Sequence, residues 1–322
     1  MRQMASALAM VVLLLGAGGD AAAPGNSMSQ AAYDYLDDAL TLLQDNALDR
    51  YTTDWRKIRL DAFHLARDAR EPVDTYIAIR GAIATIGNRH TFFIPPALTV
   101  PPPADDVGVP VGRLRGSRFA QLTIPSIQAG PAGEERYISA GQTAVRTLDV
   151  AAPCGWLVDL RANMGGNMWP MVTVLAPLLG DGQLGSFIGP DGRSEHWEIR
   201  GDDVVLAGQV MGTNPVRLTR PTPPVALLTS QITASAGEAT LVSFLGLDRV
   251  RTFGQDTAGL STSNETYQLS DGAELVVTTA TMADRTGRRY GTPIEPDVPA
   301  TRRPGAVVVA ATTWLANQPG CS

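Results

Sequence analysis

Apolar residues recur at helical spacing through the first part of the chain and then give way to short apolar runs separated by turns. Tyr33, Leu36, Leu40 and Leu43 form one helical stripe, and Ile58, Leu60, Phe63 and Leu65 form a second. Pro72 opens a third helix, with Tyr76, Ile77, Ile79, Ile83 and Ile86 on its face and Gly87 at its end. Helix is therefore expected from about residue 27 to residue 86. A proline-rich stretch over 95–103 then punctuates the chain.

Beyond Val107 the pattern alternates. Phe119–Ile124, Trp156–Leu160 and Val225–Leu228 read as buried strands; Glu134–Leu148, Met168–Leu179 and Ala236–Leu245 read as helices between or after them. Tyr267–Leu269 and Glu274–Ala280 resemble a hairpin around Ser270-Asp271-Gly272. Strands alternating with crossover helices imply an α/β core with a parallel or mixed sheet. The pattern divides the chain into a leader over 1–23, an N-terminal helical region over 27–95 and an α/β core over 104–318.

Composition narrows the class. The 322 residues are 44% hydrophobic and 18% charged, as expected of a chain with a substantial core. A formal net charge of −6 leaves no basic footprint for nucleic acid. Arg2 followed by an uncharged apolar run from Ala5 to Gly18, then Ala21-Ala22-Ala23-Pro24, reads as a cleaved secretory signal. The run is too short for a membrane span, so no stable span is expected. Two cysteines, Cys154 and Cys321, fit an oxidising compartment, either as a disulfide or as two buried thiols. With three histidines and no metal-ligand spacing, neither a metal nor another cofactor is expected.

The chemistry concentrates where strands hand over to helices. Ser235 lies at such a junction, in Thr233-Ala-Ser-Ala-Gly-Glu238, where free helix amides point outward. A serine oxygen there can act as a nucleophile, although Ser-x-x-Glu is equally a helix capping box. Asp159-Leu-Arg-Ala-Asn-Met-Gly-Gly166 is a second strand-to-helix turn. Its paired glycines let backbone amides approach an anion. A base is also needed, and the chain's one lysine, Lys57, sits in a charged helical patch. Histidine remains. His90 follows a helix end on a loop, whereas His64 lies in a helical pattern and His196 in a strand-like one.

In this order, Gly87-Asn-Arg-His90, Asp159–Gly166, Thr233–Glu238, Thr252-Phe-Gly254 and Pro293-Ile-Glu-Pro-Asp297 resemble the tail-specific (C-terminal processing) serine peptidase family. The resemblance implies a crotonase-like or ClpP-like α/β core. It also implies a Ser235 nucleophile with an oxyanion hole from Gly165, Gly166 and Ala236. Family members carrying a Ser/Lys pair place lysine after Thr-Phe-Gly, where this chain has Gln255. Only about twenty residues separate His90 from the expected first core strand, too few for the inserted PDZ domain of those members.

The chain thus looks nearer the branch holding the tricorn core protease and the interphotoreceptor retinoid-binding protein, with His90 as base. Glu265, Glu295 and Asp297 stand as candidates for its supporting acid. The expectation is a metal-independent, exported serine peptidase acting on proteins or peptides. The alternative is a non-catalytic binder of apolar ligands or peptides on the same scaffold.

Overall fold

The computed structural model describes residues 28–98, 107–300 and 305–321. The expected leader, the proposed cleavage zone and most of the proline-rich stretch lie outside those residues. Three helices open the chain: α1 (Gln30–Asn46), α2 (Trp55–Leu65) and α3 (Tyr76–Ile86). Ser29 caps α1 by accepting the Ala32 amide at 3.1 Å. A 3-10 turn, Pro72–Thr75, leads into α3, and Gly87 ends that helix at φ 78°, a left-handed conformation that suits glycine.

Alanines carry much of the helix packing. In α1 the buried face is Ala32, Tyr35, Leu36, Ala39, Leu40 and Leu43; in α2 it is Ile58 and Ala62. Leu60, Leu65 and Ile77 face outward, and Tyr33 stacks on Phe63 at the surface. Leu60 and Leu65 therefore mark the wrong side of α2, while Ile58 is buried and Phe63 packs at the edge of the cluster.

Among the described residues, two sheets follow. The first has the order β13 (Val298–Pro299), β10 (Val250–Gly254), β9 (Val225–Thr229), β4 (Gly155–Asp159), β3 (Phe119–Thr123) and β2 (Val111–Arg115). It is parallel from β13 to β3, with β2 antiparallel at its edge. Every residue of β4 and β9 is buried, the mark of strands covered on both faces. Helices α4 (Pro131–Asp149), α5 (Met168–Leu179) and α6 (Ala236–Val242) pack within one apolar cluster on one face, with Trp156, Val158, Val225 and Leu227. Helix α7 (Ala306–Ala316) covers the other through Val307, Ala311 and Leu315, against Leu157, Ala226 and Phe253. Cys154 and Cys321 are joined as a disulfide, fastening the chain end beside β4.

The second sheet is antiparallel in its registered pairs. Its order is β1 (Phe92–Ile94), β12 (Glu274–Asp284), β5 (Gly182–Ile188), β6 (Ser194–Arg200), β7 (Asp203–Leu206) and β8 (Gln209–Thr213), with β11 (Thr262–Gln268) also on β12. Strands β5–β8 correct a sequence reading that expected little there beyond the alternation around Glu195–Glu198. Their exposed faces dilute the hydrophobic signal, while fully buried Trp197 and Val204 join the cluster beneath α5 and α6. The β11–β12 hairpin instead meets the N-terminal helices. Leu269, Leu275 and Val277 share their apolar cluster, and Asp271 accepts hydrogen bonds from the hydroxyls of Tyr35 and Tyr76.

Candidate active site

The carboxyl ends of β4 and β9 release two loops that run side by side. Thr233 Oγ1 donates to the Leu160 carbonyl at 2.9 Å, and the Ala234 amide donates to the Asn163 carbonyl at 3.0 Å. Arg161 grips Asp159 with two hydrogen bonds, at 2.8 and 2.6 Å, and Gln121 donates to the same carboxylate. Fully buried Asn163 pins the turn to β3's exit by donating to the Ile124 carbonyl at 3.0 Å. These bonds fix the backbone of both loops before any reactive side chain is considered.

Ser235 stands at the N-terminus of α6 with φ 52° and ψ −118°. Positive φ in a residue with a Cβ costs on the order of 1–3 kcal/mol and persists only where surrounding contacts impose it. Here the imposing group is Glu238, fully buried, whose Oε2 accepts the Ser235 amide at 3.0 Å. The capping glutamate and the reactive position are thus parts of one device.

The glycine turn presses directly on it. A Cβ on Gly165 would lie 2.8 Å from Ser235 Cβ and 3.1 Å from the Ala236 nitrogen. A Cβ on Gly166 would lie 1.8 Å from the Ile127 carbonyl oxygen, so no side chain fits there. Both glycines have φ above 100°. The two amides differ in what they can offer. The Gly165 amide, one of the oxyanion donors expected from the sequence, donates here to Asn163 Oδ1 at 2.9 Å. Its part is close approach. Gly166 is exposed at the turn, and Ala236 is the first residue of α6, where the helix leaves its amide free.

His90 is almost fully buried, and its Nδ1 lies 2.7 Å from Thr262 Oγ1 at the start of β11. Its backbone is held as firmly. The His90 amide donates to Asn88 Oδ1 and its carbonyl accepts from Asn264 Nδ2, both at 3.0 Å. Thr278 Oγ1 lies 3.0 Å from both Asn88 Oδ1 and Asn264 Oδ1, joining the two amides through β12. Burial lowers the imidazole pKa to about 4, since the cation would lose its water without gaining a partner.

No acid takes the Nδ1 position. Glu265 is exposed and accepts from Tyr267 on its own strand, Glu295 is exposed, and Asp297 accepts from the amide and hydroxyl of Thr252. The group at Nδ1 is a threonine hydroxyl, and none of the three candidate carboxylates has a recorded hydrogen bond to the ring. A hydroxyl in a polar strand gives no sequence signal of that role; only the pairing of residues 172 apart does.

The other polar candidates are accounted for. Lys57 pairs with Asp61 on the surface of α2, His64 is exposed, and His196 lies 2.9 Å from Ser186 Oγ on β5. Among the described residues no group of three or more acidic, histidine or cysteine side chains could hold a metal ion. A cleft of about 360 Å³ opens beside His90, walled by Asp49, Asn88, Leu260, Thr262 and Pro293. It lies between the N-terminal helical part and the segment that leads into β11.

A family model for peptidase family S41 matches residues 118–300, more than half of the chain. The chain belongs to peptidase family S41. The S41 match contains the glycine turn, Ser235 and Thr262, and stops short of His90. This S41 chain is 26% identical over 285 residues to the nisin-resistance protein of Lactococcus lactis subsp. lactis, covering 88% of this chain and 87% of that one. A lipoprotein from Streptococcus agalactiae is similar in structure at a TM-score of 0.75 and 25% identity, over 89% of this chain and 96% of that one. The photosystem II D1 C-terminal processing protease shares the fold at a TM-score of 0.62 and 15% identity, over 91% of this chain and 99% of that one.

Proposed function

We propose that this S41 chain is an exported serine peptidase in which Ser235 attacks the substrate carbonyl and His90 is the base. One observation carries the assignment: the Gly165 backbone packs on Ser235 Cβ beside the Ala236 amide, which puts a serine hydroxyl at a helix N-terminus next to a glycine turn. In the tautomer a base needs, His90 Nδ1–H donates to Thr262 Oγ1 and Nε2 keeps its lone pair.

Nε2 takes the Ser235 proton as Oγ bonds to the carbonyl carbon. The Gly166 and Ala236 amides then meet the developing oxyanion. The imidazolium returns the proton to the leaving amine, and water repeats the sequence to release the acyl group. The depressed His90 pKa keeps the free base available well below neutral pH. No step calls on a metal.

Export is supported by the Cys154–Cys321 disulfide and by the similarity to a lipoprotein, and substrates would be exported proteins or peptides. The likeness to a nisin-resistance protein makes nisin one peptide to include among test substrates. The decisive comparison is wild type against Ser235→Ala on unfolded protein and peptide substrates, with a fluorophosphonate to label the nucleophile. The expected result is stoichiometric labelling at Ser235 and a loss of at least about 10³-fold in kcat for the alanine variant. Equal turnover by the two proteins overturns the assignment. An unlabelled, inactive wild type that retains a peptide or apolar ligand supports the binding-protein alternative.

A further inference from the structure

Glu238 is the buried charge that the proposed chemistry does not use. It is fully buried in α6, and among the described residues its recorded hydrogen-bond donors are all uncharged. Four donors fill its two oxygens instead. Oε2 accepts the Ser235 amide at 3.0 Å and the Leu260 amide at 2.7 Å; Oε1 accepts Thr257 Oγ1 at 2.5 Å and the Gly259 amide at 3.0 Å. A helix cap needs only the first of these. The other three come from a segment about twenty residues further along the chain, which leads directly into Thr262 and so to His90 Nδ1.

The segment is held elsewhere as well. The Ala258 amide donates to the Thr233 carbonyl at 2.9 Å, and Thr257 Oγ1 accepts the Ile294 amide at 2.9 Å. Gly259 packs so closely on Pro293 that a Cβ would lie 2.6 Å from its ring. One backbone bond thus ties the segment to the serine turn at Thr233, and the Glu238 carboxylate ties the Ser235 amide to Thr257, Gly259 and Leu260.

We infer that Glu238 is a positioning residue, one carboxylate that sets the nucleophile turn and the histidine's hydroxyl partner in register with each other. The inference rests on the Ser235/His90 reading above and adds a named determinant of its geometry. Only an ionised carboxylate suits four converging donors; an amide at this place would turn its NH2 group against two of them. Burial raises the Glu238 pKa, and the four hydrogen bonds oppose that rise. Disturbing the link displaces Ser235 relative to His90 without removing either, and a misplacement near 1 Å is worth about 10²-fold in rate.

The test compares Glu238→Gln with Val242→Ala, which thins the packing of the same helix and touches no hydrogen bond of the site. Each is assayed at a temperature where thermal melting shows it folded. Glu238→Gln is expected to slow fluorophosphonate labelling of Ser235 by about 100-fold, with Val242→Ala within about 3-fold of wild type. Thr257→Val, which removes one donor from Oε1, is expected to fall between them and serves if the glutamine variant does not fold. Labelling of Glu238→Gln at the wild-type rate, or equal losses in it and Val242→Ala, overturns the inference.

A second readout needs no activity. The nitrogen resonances of the His90 ring should shift in Glu238→Gln, because Thr262 moves with the segment; unchanged resonances also overturn it. If wild type itself is not labelled, the serine-peptidase reading fails, and the ring resonances still decide whether Glu238 couples the two sides.

Discussion

Ser235 and His90 are held by opposite means. On the serine side the framework is largely backbone: a buried strand, a turn with positive φ, a helix start, and a neighbouring turn whose glycines allow contact, with the Glu238 carboxylate at its centre. On the histidine side the contacts are side chains drawn from far along the chain. Asn88, Asn264 and Thr278 hold the His90 backbone, and Thr262 meets its ring. In the proposed mechanism the serine side draws on strain and free amides, and the histidine side on desolvation. A buried imidazole without a carboxylate stays neutral, and its orientation rests on one hydroxyl.

The largest effect expected from breaking this contrast comes from Thr262. Thr262→Val should lower kcat by about 10–100-fold while Thr262→Ser stays within about 3-fold. Labelling of Ser235 by a highly reactive electrophile should suffer less than peptide turnover, since the serine turn is intact. If the valine variant turns over peptides like wild type, the hydroxyl does not orient the base.

Acid tests the histidine side next. Its folded pKa of about 4 lies below the ordinary 6.5, so the unfolded chain binds the proton more readily. Stability contributed by neutral His90 is complete above about pH 6.5 and is lost as pH falls toward 4, by up to about 3 kcal/mol. Urea titrations across that window should show the loss in wild type and a flatter profile in His90→Gln. The acid limb of kcat/KM should likewise lie nearer pH 4 than pH 6.5. A limb near 6.5 would mean that His90 is solvated in the working enzyme.

The smallest effects sharpen the contrast by their absence. Glu265→Gln and Glu295→Gln should each leave kcat/KM within about 2-fold, because neither carboxylate meets the ring. A loss above 10-fold in either would restore an acid to the histidine side.

Legibility in the sequence follows the same division. Residues 168–179 are helical as their pattern predicts, and the two strand-to-helix turns lie where the apolar runs end, because both signals are local. The helix after Ser235 is shorter than its apolar run suggests, ending at Val242. The second sheet was mostly hidden, since strands such as β8 bury no position fully. Gly165 and Gly166 could be marked together, but only the structure separates a glycine needed for contact from one that leaves its amide free. Thr262 had no local signature at all.

The disulfide adds a topological consequence. Cys154 and Cys321 close a covalent ring that contains the glycine turn, Ser235, Glu238 and Thr262, while His90 lies on the arm outside it. A cut at any single bond within the ring leaves its two pieces tethered, so the serine half can be nicked and still remain one molecule. The histidine arm has no tether beyond the single chain that enters at Cys154. One half of the proposed reaction is thus a closed loop of covalent bonds, and the other is an arm joined to that loop by a single peptide strand.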